Sequence, residues 1–374
     1  MRIIYVLPSL KRGGAERLCL DIIRELKLRD NIEVKLLLLQ GLNEYEADYS
    51  DMEPIVLAGD KVQLSILSKW DIQLNRFNKI VEEFSPDVIH SHLYEAEIFV
   101  HNRPFSGVKY VTHFHDNMVQ LKPFSWADTF KKKRIIELYE RNYLLKQYAN
   151  VNKKFIAISE DTKKYFTKNL PAHLTTNIVL LPNAINVNRF TNDRVFNKKK
   201  VYQLVNIGSF VKKKNQRFLI DILLELNRIG VDCKLQLIGE GALLNQVKEY
   251  AKQVSLVEKV EFCGNVNNVE EYLRNADFYV HSATYEPFGL VLLEAMASGL
   301  PVISIDGDGN RDFMKNGENG YLINKGDVDG FVSAIRNLID NKDLLNTIHL
   351  NSIKTAKKFD IGSYVDRLLS IYSE

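Results

Sequence analysis

The chain holds no run of about 18 apolar residues, so no segment reads as a membrane-spanning helix. Its start, MRIIYVLPSLKRGG, has too short an apolar core for a secretory signal and reads as a first strand. Cysteine is scarce: Cys19, Cys233 and Cys263 are scattered and odd in number. That excludes a disulfide framework and a zinc-finger spacing, and with the missing leader it sets a cytoplasmic location as the expectation. No P-loop, no GxSxG elbow and no Cys/His nucleophile pair is present, which removes the chemistries those motifs carry. Short repeats and low-complexity tracts are absent as well.

What remains is an ordinary globular composition, 45% hydrophobic and 26% charged over 374 residues, a length that favours two domains. The formal net charge is only +3, but it is uneven. Residues 121–170 hold twelve Lys or Arg against five Asp or Glu, a local net of +7. The run from Lys131 to Arg134 opens a helical pattern there. It reads as a solvated helix face or as a surface for anionic lipid or an anionic acceptor; no nucleic-acid motif accompanies it.

Short apolar strands alternate with helical patterns, the order of a parallel α/β sheet. In the first half these are strands Arg2–Pro8, Ile32–Gln40, Val88–Ser91, Lys109–His113 and Phe155–Ser159, with helices Gly14–Arg29, Leu67–Phe84 and Thr129–Ala149. The polar, basic stretch 191–200 reads as a linker. A second series follows, with strands Tyr202–Gly208, Lys234–Gly239, Val260–Cys263, Phe278–His281, Pro301–Asp306 and Gly320–Ile323. Its helical patterns are Gln216–Ile229, Ala242–Val254 and Asp327–Asp340, and Leu344–Ser373 looks helical to the end. The expected division is residues 1–190 and 200–359, two doubly wound Rossmann-like units.

Residues 286–299, EPFGLVLLEAMASG, are the most informative stretch. The segment has almost no polar face, so it predicts a buried helix with Pro287 at or near its first turn and Gly299 beyond its end. Glu294 is its only internal charge and leans back toward the helix start. There Phe288, Gly289 and Leu290 offer backbone N–H groups to a phosphate, while a carboxylate beside them suits a sugar hydroxyl. Together they describe a site for a nucleotide or sugar nucleotide. The same pattern fits a core helix whose Glu294 pairs with a buried Lys, Arg or Tyr.

Other motifs are weaker. Gly13–Gly14 precede a helix and allow close approach to a phosphate or form a plain turn. Gly239–Glu240–Gly241 half resembles a dinucleotide loop but lacks the third glycine. Lys212, Lys213 and Lys214 follow a strand, where cations can neutralise a diphosphate. His90, His92, His113 and His115 cluster at two strand ends, a pattern open to packing, hydrogen bonding or metal. Asp306–Gly307–Asp308 has the form of a DxD metal site and equally of turn chemistry.

Taken together, GGAER at 13–17, PDVIHSH at 86–92, VTHFHD at 111–116, IAISE at 156–160, PNAIN at 182–186, KKKNQ at 212–216, LIGEG at 237–241, FCGNV at 262–266 and EPFGLVLLEAMASGLPVI at 286–303 resemble the family 4 retaining glycosyltransferases of GT-B fold. The last segment matches the family's E-x7-E motif. The resemblance implies two Rossmann-like domains facing each other across a cleft. The first would bind acceptor and the second nucleotide sugar, with a last helix of about 360–374 crossing back to the first. It assigns Glu294 to the nucleotide ribose, and Phe288, Gly289 and Leu290 to the diphosphate and sugar. Glu286 falls beside the transferred sugar, Lys214 at the diphosphate leaving group and His115 at the donor sugar near the reacting carbon. His113, two residues away, competes for that last role. Gly14 would face phosphate or acceptor, and Asn265 and Val266 would contact the base through the main chain. Ser209 stands where many members carry an arginine, a role left to Lys212 or Lys213.

The implied activity is hexosyl transfer from a nucleotide sugar, expected to be a UDP-sugar, to a glycan or lipid-diphosphate-linked acceptor in cell-surface polysaccharide synthesis. Configuration would be retained, and no cofactor or metal is required. Peripheral contact with an anionic inner membrane face through residues 121–170 accompanies it, without nucleic acid. The alternatives are a GT-B sugar-nucleotide epimerase, a phosphorylase, or an inactive sugar-nucleotide-binding relative.

Overall fold

The computed structural model describes residues 1–46, 49–63, 71–123, 132–192, 194 and 196–374. The chain divides into two compact units, Met1–Asn183 with Ile361–Glu374, and Ala184–Asp360. Among the described residues no helix is long and apolar enough to cross a membrane.

The first unit is a seven-stranded parallel sheet. Its strands lie in the order Ile55–Val56, Glu33–Leu38, Arg2–Leu7, Val88–His92, Lys109–Phe114, Asn152–Ala157 and Ile178–Leu180. Ile3 to Leu7 are buried without a gap, as expected for a strand covered on both faces. Helix Gly14–Lys27 places Leu18, Cys19, Ile22, Ile23 and Leu26 on one buried stripe.

The helix expected over Leu67–Phe84 is shorter. Asp71–Gln73 pairs antiparallel with Lys61–Gln63, and the helix runs only over Asn75–Phe84; residues 64–70 lie outside the described residues. The Asp60 carboxylate accepts the N–H groups of Arg76 (3.2 Å) and Phe77 (2.7 Å), which fixes the later start. Residues 129–131 of the Thr129–Ala149 expectation are likewise undescribed, and the helix there is Lys132–Tyr148.

The second unit is a six-stranded parallel sheet in the order Val260–Gly264, Cys233–Ile238, Tyr202–Ile207, Phe278–His281, Val302–Ile305 and Tyr321–Ile323. The division of the chain falls at Asn183/Ala184 rather than in the basic stretch 191–200. Arg194 shows why that stretch is no free linker. Its guanidinium donates to the carbonyls of Leu273 (2.7 Å), Arg274 (2.9 Å), Ala276 and Ser298 (3.3 Å), all in the second unit. The helical expectation for Leu344–Ser373 also needs correction. Helix Lys342–Ala356 passes into a short 3-10 turn, Lys357–Phe359, then an extended Asp360 before helix Ile361–Ser373. The Phe359 carbonyl accepts the Ile185 N–H at 2.9 Å, and the Phe359 ring sits 5.8 Å from both Phe288 and Phe313, so the break is a packed feature.

Helix Ile361–Ser373 belongs to the first unit and is tied there through Tyr372. Its hydroxyl meets Tyr5 Oη and His90 Nδ1, each at 2.6 Å, and its carbonyl accepts from Lys109 Nζ at 2.7 Å. Lys154 Nζ reaches Glu374 at 2.7 Å.

A second buried polar knot surrounds Glu97 on helix Tyr94–Val100. Its carboxylate accepts from Ser91 Oγ, from Thr112 Oγ1 (2.8 Å) and from Tyr148 Oη (2.8 Å). Burial raises its pKa from 4.5 to about 7, against the pull of those three hydroxyls. Between those values the folded state holds the proton that the unfolded state releases. The protonated form's stability is therefore fully present below 4.5 and lost as pH rises through about 7. Denaturant unfolding from pH 5 to pH 8 should lose about 3 kcal/mol through this group, and Glu97→Gln should remove that part of the slope. An unchanged slope in the variant would contradict the assignment.

Candidate functional site

In an open parallel sheet wound in this order, ligands lie beyond the carboxyl ends of the strands where the winding reverses. In the second unit that point falls between Tyr202–Ile207 and Phe278–His281. The loops after these two strands carry Lys214 and Glu286, which form an ion pair through Nζ and Oε2. His281, the last residue of its strand, donates from Nε2 to the same Glu286 oxygen at 3.1 Å. Its Nδ1 faces Tyr279 Oη at 3.5 Å.

The pair is largely shielded, with side-chain exposures of 17% for Lys214 and 10% for Glu286. Burial alone would push the Glu286 carboxyl up. The Lys214 ammonium and the His281 ring outweigh it and hold the carboxyl well below the usual range. Burial pushes His281 down, its bond to Glu286 offsets part of that, and Lys214 adds to the fall. Glu286 is therefore a carboxylate and His281 a neutral donor at physiological pH. Such a carboxylate can accept sugar hydroxyls or balance positive charge; it holds no proton to give.

Backbone contacts set these positions. The Lys213 carbonyl accepts the Thr284 N–H (2.8 Å) and the Lys214 carbonyl accepts Ser282 Oγ (2.7 Å), clamping the two loops. Asn215, left-handed at φ 49°, turns the chain from the 3-10 turn Lys212–Lys214 into helix Gln216–Arg228. Gln216 Nε2 donates to the Gly208 and Ser209 carbonyls, both at 3.1 Å. The glycines of LIGEG serve close packing: a Cβ on Gly239 would stand 2.4 Å from the Gly208 carbonyl oxygen, and one on Gly241 2.6 Å from that of Phe210. Asp306–Gly307–Asp308 is explained in the same way. Glu286 N–H donates to the Gly307 carbonyl (2.8 Å), and a Cβ on Gly309 would meet the Pro287 oxygen at 2.0 Å. The two carboxylates face cations, Asp306 to Arg311 at 2.7 Å and Asp308 to Lys325 at 3.5 Å.

The helix after Glu286 is Leu290–Ala297, capped by Gly289 at φ 102°. Pro287 therefore lies three residues ahead of it, not in its first turn. The left-handed Gly289 starts the helix later, and the Leu292 N–H already bonds the Gly289 carbonyl at 3.0 Å. A helix start leaves N–H groups without an acceptor of its own; of the three expected donors, Leu290 is the first residue of this helix, Gly289 its N-cap, and Phe288 stands just ahead of both. The Phe288 ring does not take part: it is 2% exposed and packs 5.2 Å from Phe313. Glu294 stands one turn into the helix, 3% exposed.

Other expected residues sit at further strand ends. Ser209 is exposed beside the Lys214 loop, and Lys212 and Lys213 are exposed as well. Asn265 (exposed) and Val266 (half-buried) follow strand Val260–Gly264. In the first unit, Gly14 is the exposed first residue of its helix. His115 follows strand Lys109–Phe114, stacks on His113 at 4.3 Å and meets His92 Nδ1 through Nε2 at 2.7 Å. His115 is half-buried while His113 is fully buried. Of the basic run, Lys131 lies outside the described residues; Arg134 pairs with Glu137 at 2.5 Å. His281, Gln216 and Ser282 were not singled out by sequence: Ser282 acts on a loop 68 positions away, while His281 and Gln216 reach groups five to eight positions away through turns that no periodic pattern announces.

Removing Lys214 alone leaves a buried carboxylate without its cation. Lys214→Ala should cost roughly 3 kcal/mol in chemical unfolding, and adding Glu286→Gln should return most of it. Additive losses in the double variant would contradict the coupling.

Comparison with known proteins gives two family matches. The model of glycosyl transferases group 1 matches residues 188–355, and that of glycosyltransferase family 4 matches residues 12–189. The lipopolysaccharide core biosynthesis glycosyltransferase LpsE of Rhizobium meliloti is 31% identical over 141 residues, 38% of this chain and 40% of LpsE, so the likeness spans less than half of that relative. The UDP-Gal:alpha-D-GlcNAc-diphosphoundecaprenol alpha-1,3-galactosyltransferase of Escherichia coli is 24% identical over 309 residues, 79% of this chain and 77% of that protein. Among solved structures, Anabaena Alr3699/HepE in complex with UDP and glucose superposes with a TM-score of 0.78 at 19% identity, covering 100% of this chain and 99% of HepE; at that identity the likeness speaks for the GT-B fold. With its two halves matched in turn by the two models, the chain belongs to the family 4 glycosyltransferases.

Proposed function

We propose that the chain moves a hexosyl group from a nucleotide sugar, with UDP as carrier, to a glycan or lipid-diphosphate-linked acceptor, keeping the anomeric configuration and needing no metal at the diphosphate. The observation that carries this reading is the Lys214–Glu286 pair set beside the start of helix Leu290–Ala297. A movable cation and a helix N-terminus at one strand-end crevice suit a diphosphate. The carboxylate held charged beside them suits the hydroxyls of the transferred sugar, and Glu294 the ribose. The naming of UDP-Gal and a diphosphoundecaprenol acceptor for the Escherichia coli relative supports the substrate classes.

In this reading the acceptor hydroxyl attacks the anomeric carbon on the leaving-group side. The bond from that carbon to the diphosphate oxygen breaks, and a diphosphate oxygen takes the acceptor's proton. Lys214 swings from Glu286 to the diphosphate, where it and the helix N–H groups meet the charge that develops. Glu286, short of its cation, then favours the positive charge on the sugar ring.

A preorganised donor of this kind contributes about 3–4 kcal/mol to a transition state. Glu294→Ala, and Lys214→Ala assayed where it stays folded, should each lower turnover at least ~100-fold; near-normal rates in both would defeat the reading. A thermal-shift panel of UDP-, GDP- and ADP-sugars tests the carrier: a ligand at 100 times its dissociation constant adds about 2.7 kcal/mol. Stabilisation by the UDP-sugar alone is expected, and none by any sugar nucleotide would count against donor binding.

Peripheral membrane contact is part of the proposal. Ile135 and Ile136 stand 44% and 49% exposed beside the basic run, a pairing suited to an anionic bilayer surface. Ile135→Ser/Ile136→Ser should weaken binding to anionic vesicles at low salt. Unchanged binding would separate this helix from any membrane role.

A further inference from the structure

His90, His92 and His113 have no part in the transfer chemistry proposed above, yet they are among the most confined polar groups in the first unit. All three are 0% exposed. His90 and His92 lie two apart on strand Val88–His92 and so share a face. His113 stands directly beside His92 in the parallel register. One ring nitrogen from each lies within 4.8 Å of the others, a grouping of potential metal ligands found among the described residues.

The hydrogen bonds point one way. His90 Nδ1 meets Tyr372 Oη at 2.6 Å, and His92 Nδ1 meets His115 Nε2 at 2.7 Å. Among the described residues the opposite nitrogen of each ring, Nε2, has no hydrogen-bond partner, and neither ring nitrogen of His113 has one. Asn183 lies close enough to offset part of the fall in the His113 pKa, to about 3, that burial causes. It makes no hydrogen bond of acceptable distance and angle to either nitrogen. Buried nitrogens without partners are costly, and each of these three rings has at least one such nitrogen while contributing one nitrogen to a group within 4.8 Å. A metal-bound histidine has this form: one nitrogen to the ion, the other hydrogen-bonded to a group that fixes the ring.

We propose that His90, His92 and His113 bind a divalent transition-metal ion of the zinc class, through Nε2 of the first two and one nitrogen of the third, with a fourth position for water. Three neutral imidazoles suit zinc, copper or nickel rather than magnesium or calcium. Zinc–nitrogen bonds of about 2.0–2.1 Å put tetrahedral ligand nitrogens about 3.4 Å apart, so small ring rotations must draw the three together. Metal on Nε2 places the remaining proton of each strand histidine on Nδ1. His90 then donates to Tyr372, which also bonds Tyr5, and the ion pins helix Ile361–Ser373 to the sheet. His92 donates to His115 Nε2, leaving the His115 proton on Nδ1. All three ligands belong to the first unit, whereas the proposed diphosphate site is built from residues of the second. The ion is thus structural and tautomer-setting, and the transfer step does not pass through it.

The test uses the full, untagged chain, stripped by chelator and dialysed against Co²⁺. One Co²⁺ per chain is expected, with the visible bands of tetrahedral nitrogen ligation, and Zn²⁺ should displace it. His92→Gln and His113→Gln should lower retained metal ~10-fold or more, while His173→Gln, at an exposed histidine elsewhere, should retain it. If the ligand variants do not fold, X-ray absorption on the wild-type Co²⁺ form decides, since a shell of three imidazoles is expected. No retained ion, an octahedral water-like spectrum, or equal retention by His113→Gln overturns the proposal.

Discussion

A carboxylate in a shielded crevice stays charged only when a cation and a donor reach it, and Glu286 meets that condition through Lys214 and His281. His281 ends the strand five positions before Glu286, whereas Lys214 comes from a loop 72 positions earlier. Everything else in the second unit's site serves to bring the loops together. Ser282 and Thr284 hold the Lys213–Lys214 carbonyls, Gln216 holds those of Gly208 and Ser209, and glycines at 239, 241, 307 and 309 remove the side chains that would keep the backbones apart. In the proposed function the ion pair is a resting arrangement: a diphosphate would compete for Lys214, and the carboxylate it leaves behind would face a sugar that gains positive charge.

The fold class was legible because its cause is local. Apolar runs such as Ile3–Leu7 and Phe278–His281 are what a strand covered on both faces requires, and their alternation with helical patterns leaves few topologies. The helix carrying Glu294 was legible for the same reason, since only burial tolerates a segment greasy on all sides. Its start was located only loosely, with Pro287 at or near the first turn, because the turn is made by a left-handed Gly289 and the helix begins at Leu290. The helix expected from Leu67 failed where Asp60, outside the pattern, caps a later start. The break at Lys357–Asp360 depends on Ile185 and Phe288, both far away in sequence.

The glycine motifs teach the opposite lesson. Gly239–Glu240–Gly241 and Asp306–Gly307–Asp308 both look like ligand loops when read along the chain. In space each is a place where two backbones touch, and the Asp306 and Asp308 carboxylates are engaged by Arg311 and Lys325. A glycine signals close approach without saying to what. Polar strand residues in the first unit were similarly mute: Ser91 and Thr112 read as ordinary positions until Glu97 arrives from a helix to meet them, and His90, singled out only as one of a histidine cluster, finds its partner in Tyr372.

The central claim is that a nucleotide diphosphate settles on the backbone at the start of helix Leu290–Ala297 beside Lys214. Hydrogen–deuterium exchange with and without a UDP-sugar reads this directly. The account predicts slowed exchange at the amides of Phe288 to Val291 and in the Lys212–Lys214 turn, saturating with ligand. Binding that leaves those amides exchanging at their free rate, with protection confined elsewhere, would contradict it.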